Sequence, residues 1–347
     1  MGKSYGKWIV TALALDPVHV GAGGGRIGRV DLTIVRDPAT RVPKIPGSSL
    51  AGVYRTYVAM AEQEANPDRQ VDGKPKPYYP DCAGLGLDQE RGHCRRPDCP
   101  VCTVFGFARG AGQEGGFAGL AAFTDAHVLL FPVPTRRGPR WVTSPMALRA
   151  LGLDVEGPSE QAVYLEEGGD FLNLGWLLLP IKVVSGDQKK AFEELKKPER
   201  GLPGYIRDRL ALVDDRLFQH IVNSNLEVRT SVSIDPATGA AQEKALFSYE
   251  ALPRGTVLVW EVIAKNPMFF TIGDKKIELR GGKSQGAQGP GQVWEVVQKA
   301  HPYLEHLGIG GMGTRGMGRV RVLHAASTQS PQAVGPAQSS GQGENQP

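Results

Sequence analysis

A glycine-rich loop with an aspartate directly behind it is the first candidate for chemistry in this sequence. The loop lies within residues 16–35, where Arg26 and Arg29 close its basic end and Asp31 follows. Glycine lets a backbone approach a polyanion closely and leaves N–H groups free to bind phosphate. A carboxylate at this position could hold a divalent ion or orient a ribose 2′-hydroxyl for attack on the adjacent phosphate, with His19 as a proton-transfer group. The alternative is that Asp31 only stabilises a turn.

Four cysteines form the second candidate. Cys82, Cys94, Cys99 and Cys102 are separated by 11, 4 and 2 residues, and His93 precedes the second cysteine. A C-x-x-C pair with two further thiolates can complete a tetrahedral zinc site. Because four cysteines fill that tetrahedron, the spacing predicts a structural zinc ion, with His93 as an alternative ligand. Free thiols or a decayed site are the alternative interpretation. No thioredoxin-like pattern surrounds the C-x-x-C, which disfavours redox catalysis.

Residues 308–319, GIGGMGTRGMGR, form a second glycine-rich segment between a predicted helix and the last predicted strand. Glycines alternating with Arg315 and Arg319 suit a backbone that binds phosphates or sugar hydroxyls. The order of residues differs from that of a Walker A loop and from that of a dinucleotide-binding fingerprint. A tight turn packed between helix and strand is the alternative interpretation.

Short runs of β-branched and aromatic residues bounded by Gly, Pro and Asp predict the strands that position these residues. The predicted strands are 8–15, 30–35, 120–131, 171–184, 226–234, 257–264 and 319–324, and the predicted helices are 49–63, 186–197 and 292–307. The first helix follows a Pro-Gly turn and has Ser48 or Ser49 as its expected cap. A hairpin turn is indicated at Asp235–Gly239. Strands and helices alternate irregularly, which predicts an α+β fold with antiparallel sheets.

Composition and charge limit the possible function classes. The net charge of the 347 residues is only +4, so any affinity for nucleic acid must come from local patches such as Arg136, Arg137 and Arg140. No apolar run is long enough to span a membrane, and cysteines confined to one short segment favour a reducing cytoplasm over secretion. From residue 325 onward the chain is rich in Ser, Gln, Gly and Pro, which predicts a disordered tail over 325–347.

Residues 44–55, KIPGSSLAGVYR, resemble the IPGSSLKGxxR signature of the RAMP superfamily of CRISPR effector subunits, and residues 310–318 resemble its C-terminal glycine-rich loop. Longer stretches are similar to the backbone subunit of type III-B (Cmr) complexes. They are VHVGAG at 18–23, VDL at 30–32, AFTDAHVLLFP at 122–132, WVTSP at 141–145, YLEE at 164–167, EVRT at 227–230 and IDPATG at 234–239. The cysteine cluster and the GGMGTRGMG loop are more similar to type III-A (Csm) backbone subunits, so the subtype stays open.

The resemblance implies a single elaborated domain over residues 1–324, with a ferredoxin-like, RRM-related core and an antiparallel sheet. It also implies an insertion over about 64–116 that carries the cysteines and a thumb-like β-hairpin over about 226–252. In this family several identical copies stack along a guide RNA (crRNA) in a helical filament with other type III subunits. The target RNA is cut at regular intervals by an aspartate with a divalent metal (Mg²⁺ or Mn²⁺). That aspartate corresponds to Asp31, and His19 corresponds to a histidine with a lesser role.

The same resemblance implies which residues contact RNA. They are Gly23, Gly24, Arg26, Arg29, Lys44, Ser48, Ser49, Arg55, Arg229, Gly310, Gly311, Arg315 and Gly316. Ala51 departs from the signature, which usually has lysine at that position, so one phosphate contact is missing. Two alternatives remain open. One is a structural subunit of the same complex that binds guide RNA without cutting, and the other is an endoribonuclease that processes precursor guide RNA.

Overall fold

The computed structural model describes residues 3–23, 30–84, 92–108, 115–158, 161–241, 246–279 and 289–328. The strands are β1 (Tyr5–Ala14), β2 (Lys44–Ile45), β3 (Gln70–Val71), β4 (Lys74–Pro75), β5 (Ala121–Phe123), β6 (Ala126–Val133), β7 (Arg140–Thr143), β8 (Val163–Leu165), β9 (Phe171–Leu174), β10 (Leu177–Val183), β11 (Leu210–Leu212), β12 (Glu227–Ser231), β13 (Phe247–Ala251), β14 (Val257–Lys265), β15 (Thr271–Ile272), β16 (Lys275–Lys276) and β17 (Val320–Thr328). The α-helices are α1 (Gly47–Ala65), α2 (Pro100–Phe105), α3 (Pro145–Arg149), α4 (Gly186–Lys196), α5 (Gly204–Arg207), α6 (Asp215–Ser224), α7 (Pro290–Val297) and α8 (His301–His306).

One large sheet dominates the architecture, and most of its strand pairs are antiparallel. Its strands follow the order β17-β1-β14-β6-β7-β11-β8-β10-β9, while β2 also pairs with β6 and β5 with β14. Strand β7 runs parallel to β11, and β8 runs parallel to β10. The predicted α+β fold with an antiparallel sheet is therefore confirmed, and the ferredoxin-like, RRM-related detail stays a prediction.

Both faces of this sheet are buried. On β1, Val10 and Ala12 face one hydrophobic core, whereas Ile9 and Leu13 face a second core on the opposite side. Helices α1, α6, α7 and α8 contribute to the first core, and α3, α4 and α5 contribute to the second. Side chains alternate between the two faces of a strand, so a strand that is buried on both faces has an almost continuous apolar sequence. This is the pattern of the central strands here.

The structure divides three predicted elements. Residues 120–131 form β5 and β6, and residues 171–184 form the hairpin of β9 and β10. Residues 292–307 fall within α7 and α8, which a 3₁₀ turn separates. Residues 30–35, predicted as a strand, form only isolated bridges to neighbouring segments. Asp125 and Gly175 stand at the breaks within the first two segments, but a single turn-forming residue in a largely apolar segment is a weak signal, so the prediction merged the strands.

Helix α1 begins differently from the prediction. It starts at Gly47 after Pro46, so Ser48 and Ser49 lie within its first turn and neither side chain caps it. The Gly47 N–H instead donates to Oδ1 of Asp125 at 2.8 Å. The first turn of a helix has N–H groups without intrahelical partners, and here a carboxylate from a distant part of the chain accepts one of them. The predicted serine cap is wrong for this reason.

Strand β17 corrects the predicted boundary of the C-terminal tail. Ala325 pairs with Val10 and Ala326 pairs with Ile9, so residues 325–328 belong to the sheet. Main-chain pairing with the edge of β1 needs no large apolar side chains, which is why the composition of this segment misled the prediction.

Residues 329–347 lie outside the described residues, and the single domain over 1–324 stays a prediction. No helix among the described residues is long and apolar enough to cross a membrane.

Residues 226–252, where a thumb-like hairpin is predicted, contain a two-stranded antiparallel sheet that is separate from the large one. Strands β12 and β13 pair from Glu227 with Ala251 to Ser231 with Phe247. Farther out, the N–H of Gly239 donates to the carbonyl oxygen of Asp235 at 2.8 Å and closes the predicted turn. Residues 242–245 lie outside the described residues. The hairpin is present, and its action as a thumb stays a prediction.

Candidate functional site

Three segments that are far apart in sequence meet at one end of the hairpin. They are the described parts of the N-terminal loop, residues 16–23 and 30–35, strand β13, and the C-terminal glycine loop, residues 308–319. Val18 forms a bridge with Leu252, and Leu32 forms a parallel bridge with Tyr249. The N–H of Gly311 donates to the carbonyl oxygen of His19 at 2.8 Å. Main-chain hydrogen bonds thus join the two glycine-rich loops and the hairpin into one site.

Asp31 lies exposed at the edge of this site. Its Oδ2 atom accepts two hydrogen bonds from Ser248, one from the backbone N–H at 2.7 Å and one from the hydroxyl at 2.8 Å. The N–H of Asp31 donates back to the Ser248 hydroxyl at 3.2 Å. These donors, the backbone N–H first, lower the pKa of Asp31 because they stabilise its ionised form. The carboxylate is therefore charged at neutral pH and fixed on one oxygen.

His19 is buried, with 6% of its surface exposed. Its Nδ1 atom donates to the carbonyl oxygen of Glu250 at 2.6 Å, and its ring meets the edge of Tyr249 with centroids 6.0 Å apart. Among the described residues no hydrogen bond joins His19 to Asp31. The structure shows that His19 helps to hold the loop against the hairpin, and its predicted supporting role in catalysis stays a prediction.

An ion pair that the sequence did not suggest fixes the base of the hairpin. The Arg36 guanidinium donates to Oε2 of Glu250 at 2.8 Å and to Oδ1 of Asn223 on α6 at 3.0 Å. The side chains of Arg36 and Glu250 are only 16% and 15% exposed, so solvent screens this pair weakly. More than 180 positions separate Arg36 from each partner. Only the folded chain brings them together.

Close packing explains several glycines of the C-terminal loop. A side chain at Gly310 would place its Cβ atom 2.3 Å from the carbonyl oxygen of His19, and one at Gly308 would lie 2.6 Å from Gly318. Both residues also have positive φ angles, 88° and 77°, which favour glycine. This packing supports the alternative of a tight turn for that part of the loop. Gly316 differs, because it is exposed and nothing lies near its missing side chain.

Arg315 and Arg229, two predicted RNA contacts, differ in their surroundings. Arg315 is exposed, its guanidinium donates to the Ser231 hydroxyl at 3.3 Å, and its Cζ atom lies 5.5 Å from the ring of Phe247. Arg229 is paired with Glu227 at 2.6 Å on the same strand. Arg315 thus keeps a charge without a carboxylate partner in the described part of the chain, whereas the charge of Arg229 is balanced by a neighbour.

Two residues of the KIPGSSLAGVYR segment contact protein groups where the prediction placed RNA. Lys44 lies 2.7 Å from a carboxylate oxygen of Asp125 and 3.6 Å from one of Asp37. Arg55 is half-buried, and its guanidinium donates to the carbonyl oxygens of Phe105 and Gly106 at the end of α2. Both cations therefore have structural partners. Sequence alone could not reveal the contacts with Asp125, Phe105 and Gly106, because these partners lie about 50 to 80 positions away.

The remaining predicted RNA contacts have mixed positions. Ser48 is exposed and Ser49 partly exposed at the start of α1. Gly23 has a φ angle of 74° with open space around it. Gly24, Arg26 and Arg29 lie outside the described residues.

The predicted metal ligands form a tight cluster. The Sγ atoms of Cys82, Cys94, Cys99 and Cys102 all lie within 4.8 Å of one another, and Cys94 and Cys102 are 3.7 Å apart. A tetrahedral zinc ion with Zn–S bonds of about 2.3 Å requires sulfur atoms about 3.8 Å apart, so the four thiols fit this ion. His93 is not part of the cluster. The geometry favours the four-cysteine set over the set with His93.

The surroundings of the cluster favour thiolate at one position. The guanidinium of Arg69 donates to Sγ of Cys94 at 3.0 Å. Hydrogen bonds from the neighbouring thiols, Cys102 first, lower the pKa of Cys94, whereas burial raises the pKa of Cys99. Arg69 also stacks over the ring of Tyr78, with its Cζ atom 3.9 Å from the centroid. The positive charge of Arg69 thus lies beside the thiol that is most readily ionised.

Comparison with known families defines the class of this chain. The model of the RAMP superfamily matches residues 11–321, so the chain belongs to the RAMP superfamily. It is 25% identical over 338 residues to the CRISPR system Cmr endoribonuclease Cmr4 of Pyrococcus furiosus, covering 91% of this chain and 94% of that protein. It is also 32% identical over 114 residues to the CRISPR system Cms endoribonuclease Csm3 of Methanothermobacter thermautotrophicus, covering 32% of this chain and 37% of that protein.

Solved structures show the same fold. A chain of the type III-B Cmr-beta complex bound to cognate target RNA superposes with a TM-score of 0.59 at 16% identity, covering 92% of this chain and 98% of that chain. Oligomeric Cmr4 from Pyrococcus furiosus superposes with a TM-score of 0.54 at 19% identity, covering 94% of this chain and 99% of that chain. Together with the family match, these similarities confirm the predicted resemblance to type III-B backbone subunits.

Proposed function

We propose that this chain is a guide-RNA-binding backbone subunit of a type III CRISPR ribonucleoprotein and that it cuts complementary target RNA at regular intervals with Asp31. The observation that carries the proposal is the exposed carboxylate of Asp31, ionised and held on Oδ2 by two donors from Ser248. The relatives named as endoribonucleases support RNA cleavage. The related complex with cognate target RNA supports RNA as the partner.

The proposed chemistry uses the RNA's own 2′-hydroxyl. Its oxygen forms a new bond to the adjacent phosphorus, the bond from phosphorus to the 5′-oxygen breaks, and the products carry a 2′,3′-cyclic phosphate and a 5′-hydroxyl. Because Oδ2 of Asp31 is held by Ser248, Oδ1 is the oxygen left to face the RNA. An ionised carboxylate there orients the 2′-hydroxyl and accepts its proton, and water returns a proton to the leaving 5′-oxygen.

The residues present fit a divalent ion, Mg²⁺ or Mn²⁺, only when RNA is bound. In the described part of the chain, the cysteine cluster is the only group of three or more potential ligands, so Asp31 is not part of a carboxylate cage. Mg²⁺ is commonly held by one or two carboxylates together with substrate phosphates. Asp31 would hold the ion jointly with the RNA phosphate. When bound, the ion supplies charge stabilisation at the phosphoryl oxygens.

Sequence specificity in the proposed complex comes from base pairing between guide and target, while the protein contacts sugar and phosphate. Exposed candidates for such contacts include Ser48, Arg315 and Gly316, and Ser49 is partly exposed. A net charge of only +4 lets identical copies pack side by side in a filament without strong repulsion. Other type III subunits would complete the complex.

We also propose that the four cysteines hold a structural zinc ion. Their sulfur atoms match a tetrahedral site, and four protein ligands leave no open position for substrate. The ion would tie the loop that contains Cys82 and Cys94 to α2, which carries Cys102. Its contribution would be to folding, and the chemistry on RNA would stay with Asp31.

The test of the proposed function is Asp31→Ala in the assembled complex, with guide and a complementary RNA labelled at its end. We expect the ladder of regularly spaced products to disappear while guide and target affinities change by less than about threefold, because Asp31 is exposed and supports no core packing. Cleavage at the wild-type rate would contradict the catalytic assignment and favour the non-catalytic structural subunit. Cleavage of repeat RNA by the isolated chain without metal would favour guide processing.

A further inference from the structure

We infer that Ser248, on the hairpin strand β13, is a positioning residue that sets which oxygen of Asp31 faces the RNA. This inference rests on the proposed function of Asp31. Ser248 is 217 positions from Asp31 in the chain, yet it takes part in three hydrogen bonds with that residue. Two of them converge on the same carboxylate oxygen, and the third returns from the Asp31 backbone to the Ser248 hydroxyl.

The main chain around this contact holds the two residues in register. The N–H of Leu32 donates to the carbonyl oxygen of Ser248 at 3.0 Å, and the N–H of Glu250 donates to that of Leu32 at 3.0 Å. The segment after Asp31 therefore lies beside β13 as a very short parallel strand. Because these backbone bonds do not depend on the Ser248 side chain, removing its hydroxyl leaves the register intact.

The two faces of β13 make different contacts. Tyr249 and Phe247 point to a small apolar cluster that includes Met312 and Met317 of the glycine loop. Ser248 and Glu250, which alternate with them along the strand, contact the N-terminal loop. The apolar face anchors the strand to the protein, and the polar face presents donors and acceptors to the loop that carries Asp31. Ser248 thus lies on a strand whose opposite face is packed against the glycine loop.

The hydroxyl adds something that the backbone N–H cannot supply alone. One donor on Oδ2 leaves the carboxylate free to rotate about its bond to Cβ, whereas two donors from different directions fix its plane. A fixed plane keeps Oδ1 directed away from Ser248 and ready for the RNA. Pre-organised groups in active sites owe their effect to such supporting hydrogen bonds. A consequence is that displacement of the hairpin would also displace the carboxylate.

The experiment compares three variants in the assembled complex under single-turnover conditions with saturating target RNA. Ser248→Ala removes the hydroxyl, Ser248→Thr retains it on a residue suited to a strand, and Thr230→Ala removes a hydroxyl from the residue paired with Ser248 on β12. We expect Ser248→Ala to lower the cleavage rate constant about tenfold, the size of one lost hydrogen bond to a charged group. Target affinity should change less than about twofold. Ser248→Thr should recover most of the rate, and Thr230→Ala should match the wild type.

Wild-type cleavage by Ser248→Ala, in a preparation where Asp31→Ala is inactive, would overturn the positioning role while the proposed function stands. Failure of Ser248→Thr to recover activity, with target affinity and thermal stability reduced in both Ser248 variants, would assign Ser248 to the fold alone and also overturn the inference. Full cleavage by Asp31→Ala would instead contradict the proposed function, and the positioning role would fail with it.

Discussion

The cysteine cluster gathers its thiols from one short segment and the Asp31 site joins distant ones, and the two regions also differ in their exposure to solvent. Cys82, Cys99 and Cys102 are at most 1% exposed, whereas Asp31 lies open to solvent. Four thiols enclose a space that fits one ion, while Asp31 has one oxygen held by protein and one left over. A closed site can hold structure together, and an open one can meet a substrate. The contrast agrees with the proposals that the first region contributes to stability and that the second acts on RNA.

Arg55 connects the cysteine region to α1, the helix that starts within the KIPGSSLAGVYR segment. Its guanidinium caps the carbonyl end of α2, the helix that carries Cys102. Partial negative charge gathers at the C-terminus of a helix, so a cation there is favourable. The cysteine region is thus tied through Arg55 to α1, the helix whose first turn contains Ser48 and Ser49.

The largest effect on stability is expected from Cys102→Ser. Losing one of four ligands should lower the zinc content from about one ion per chain to near zero and destabilise the fold by about 4 kcal/mol or more. Elemental analysis and thermal unfolding measure both quantities on one sample. The matched control is His93→Ala, which should keep its zinc because His93 lies outside the cluster. A wild-type protein without metal, or a fully stable Cys102→Ser variant, would contradict the structural zinc site.

A smaller effect is expected from Arg55→Ala. Two backbone carbonyls would lose a charged donor, which should cost about 2 kcal/mol of unfolding free energy. Urea unfolding of the isolated chain measures this, with Ser48→Ala at an exposed position of the same helix as control. If Arg55→Ala leaves stability unchanged and weakens guide RNA binding, then Arg55 contacts RNA as the family signature implied. That result would contradict the structural role assigned to Arg55 here.

The smallest effect is expected from Arg315→Ala. Arg315 is exposed with no carboxylate partner among the described residues, so its loss should leave stability unchanged and weaken RNA binding about tenfold or less. Titration of guide RNA at several salt concentrations should show the salt slope reduced by about one. Arg149, an exposed arginine on α3 that pairs with Asp154, provides the control Arg149→Ala. Equal affinity of the wild type and Arg315→Ala for guide RNA would contradict the prediction that Arg315 contacts RNA.

The sequence predicted the features that depend on local patterns. The turn at Asp235–Gly239, helix α4 and the cysteine spacing were all found because their signals lie within a few residues. The prediction read residues 171–184 as one strand, because Gly175 at the turn between β9 and β10 is a single weak signal among apolar residues. Local chemistry is readable from sequence, whereas the internal division of a buried segment is not.

The contacts that define the site were not predictable, because they join residues far apart in the chain. Ser248 gave no signal of its own, and nothing near Arg36 indicated Glu250 as its partner. For Lys44 and Arg55 the positive charge led to a prediction of phosphate contacts. In the structure, Lys44 instead pairs with the carboxylate of Asp125, and Arg55 donates to the carbonyl oxygen of Phe105. The partner of a charged side chain therefore cannot be read from the sequence when it lies far away in the chain.

We propose that the charge of Asp31 drives cleavage of target RNA, and the variant Asp31→Asn isolates that charge. The amide oxygen can still accept both hydrogen bonds from Ser248, so the loop keeps its place and only the ionised carboxylate is lost. The measurement is the single-turnover rate of target cleavage by the assembled complex, with zinc content and guide occupancy determined on the same preparation. We predict a rate lower by about 1,000-fold with zinc and RNA binding unchanged. Cleavage within a few-fold of the wild-type rate would contradict the claim.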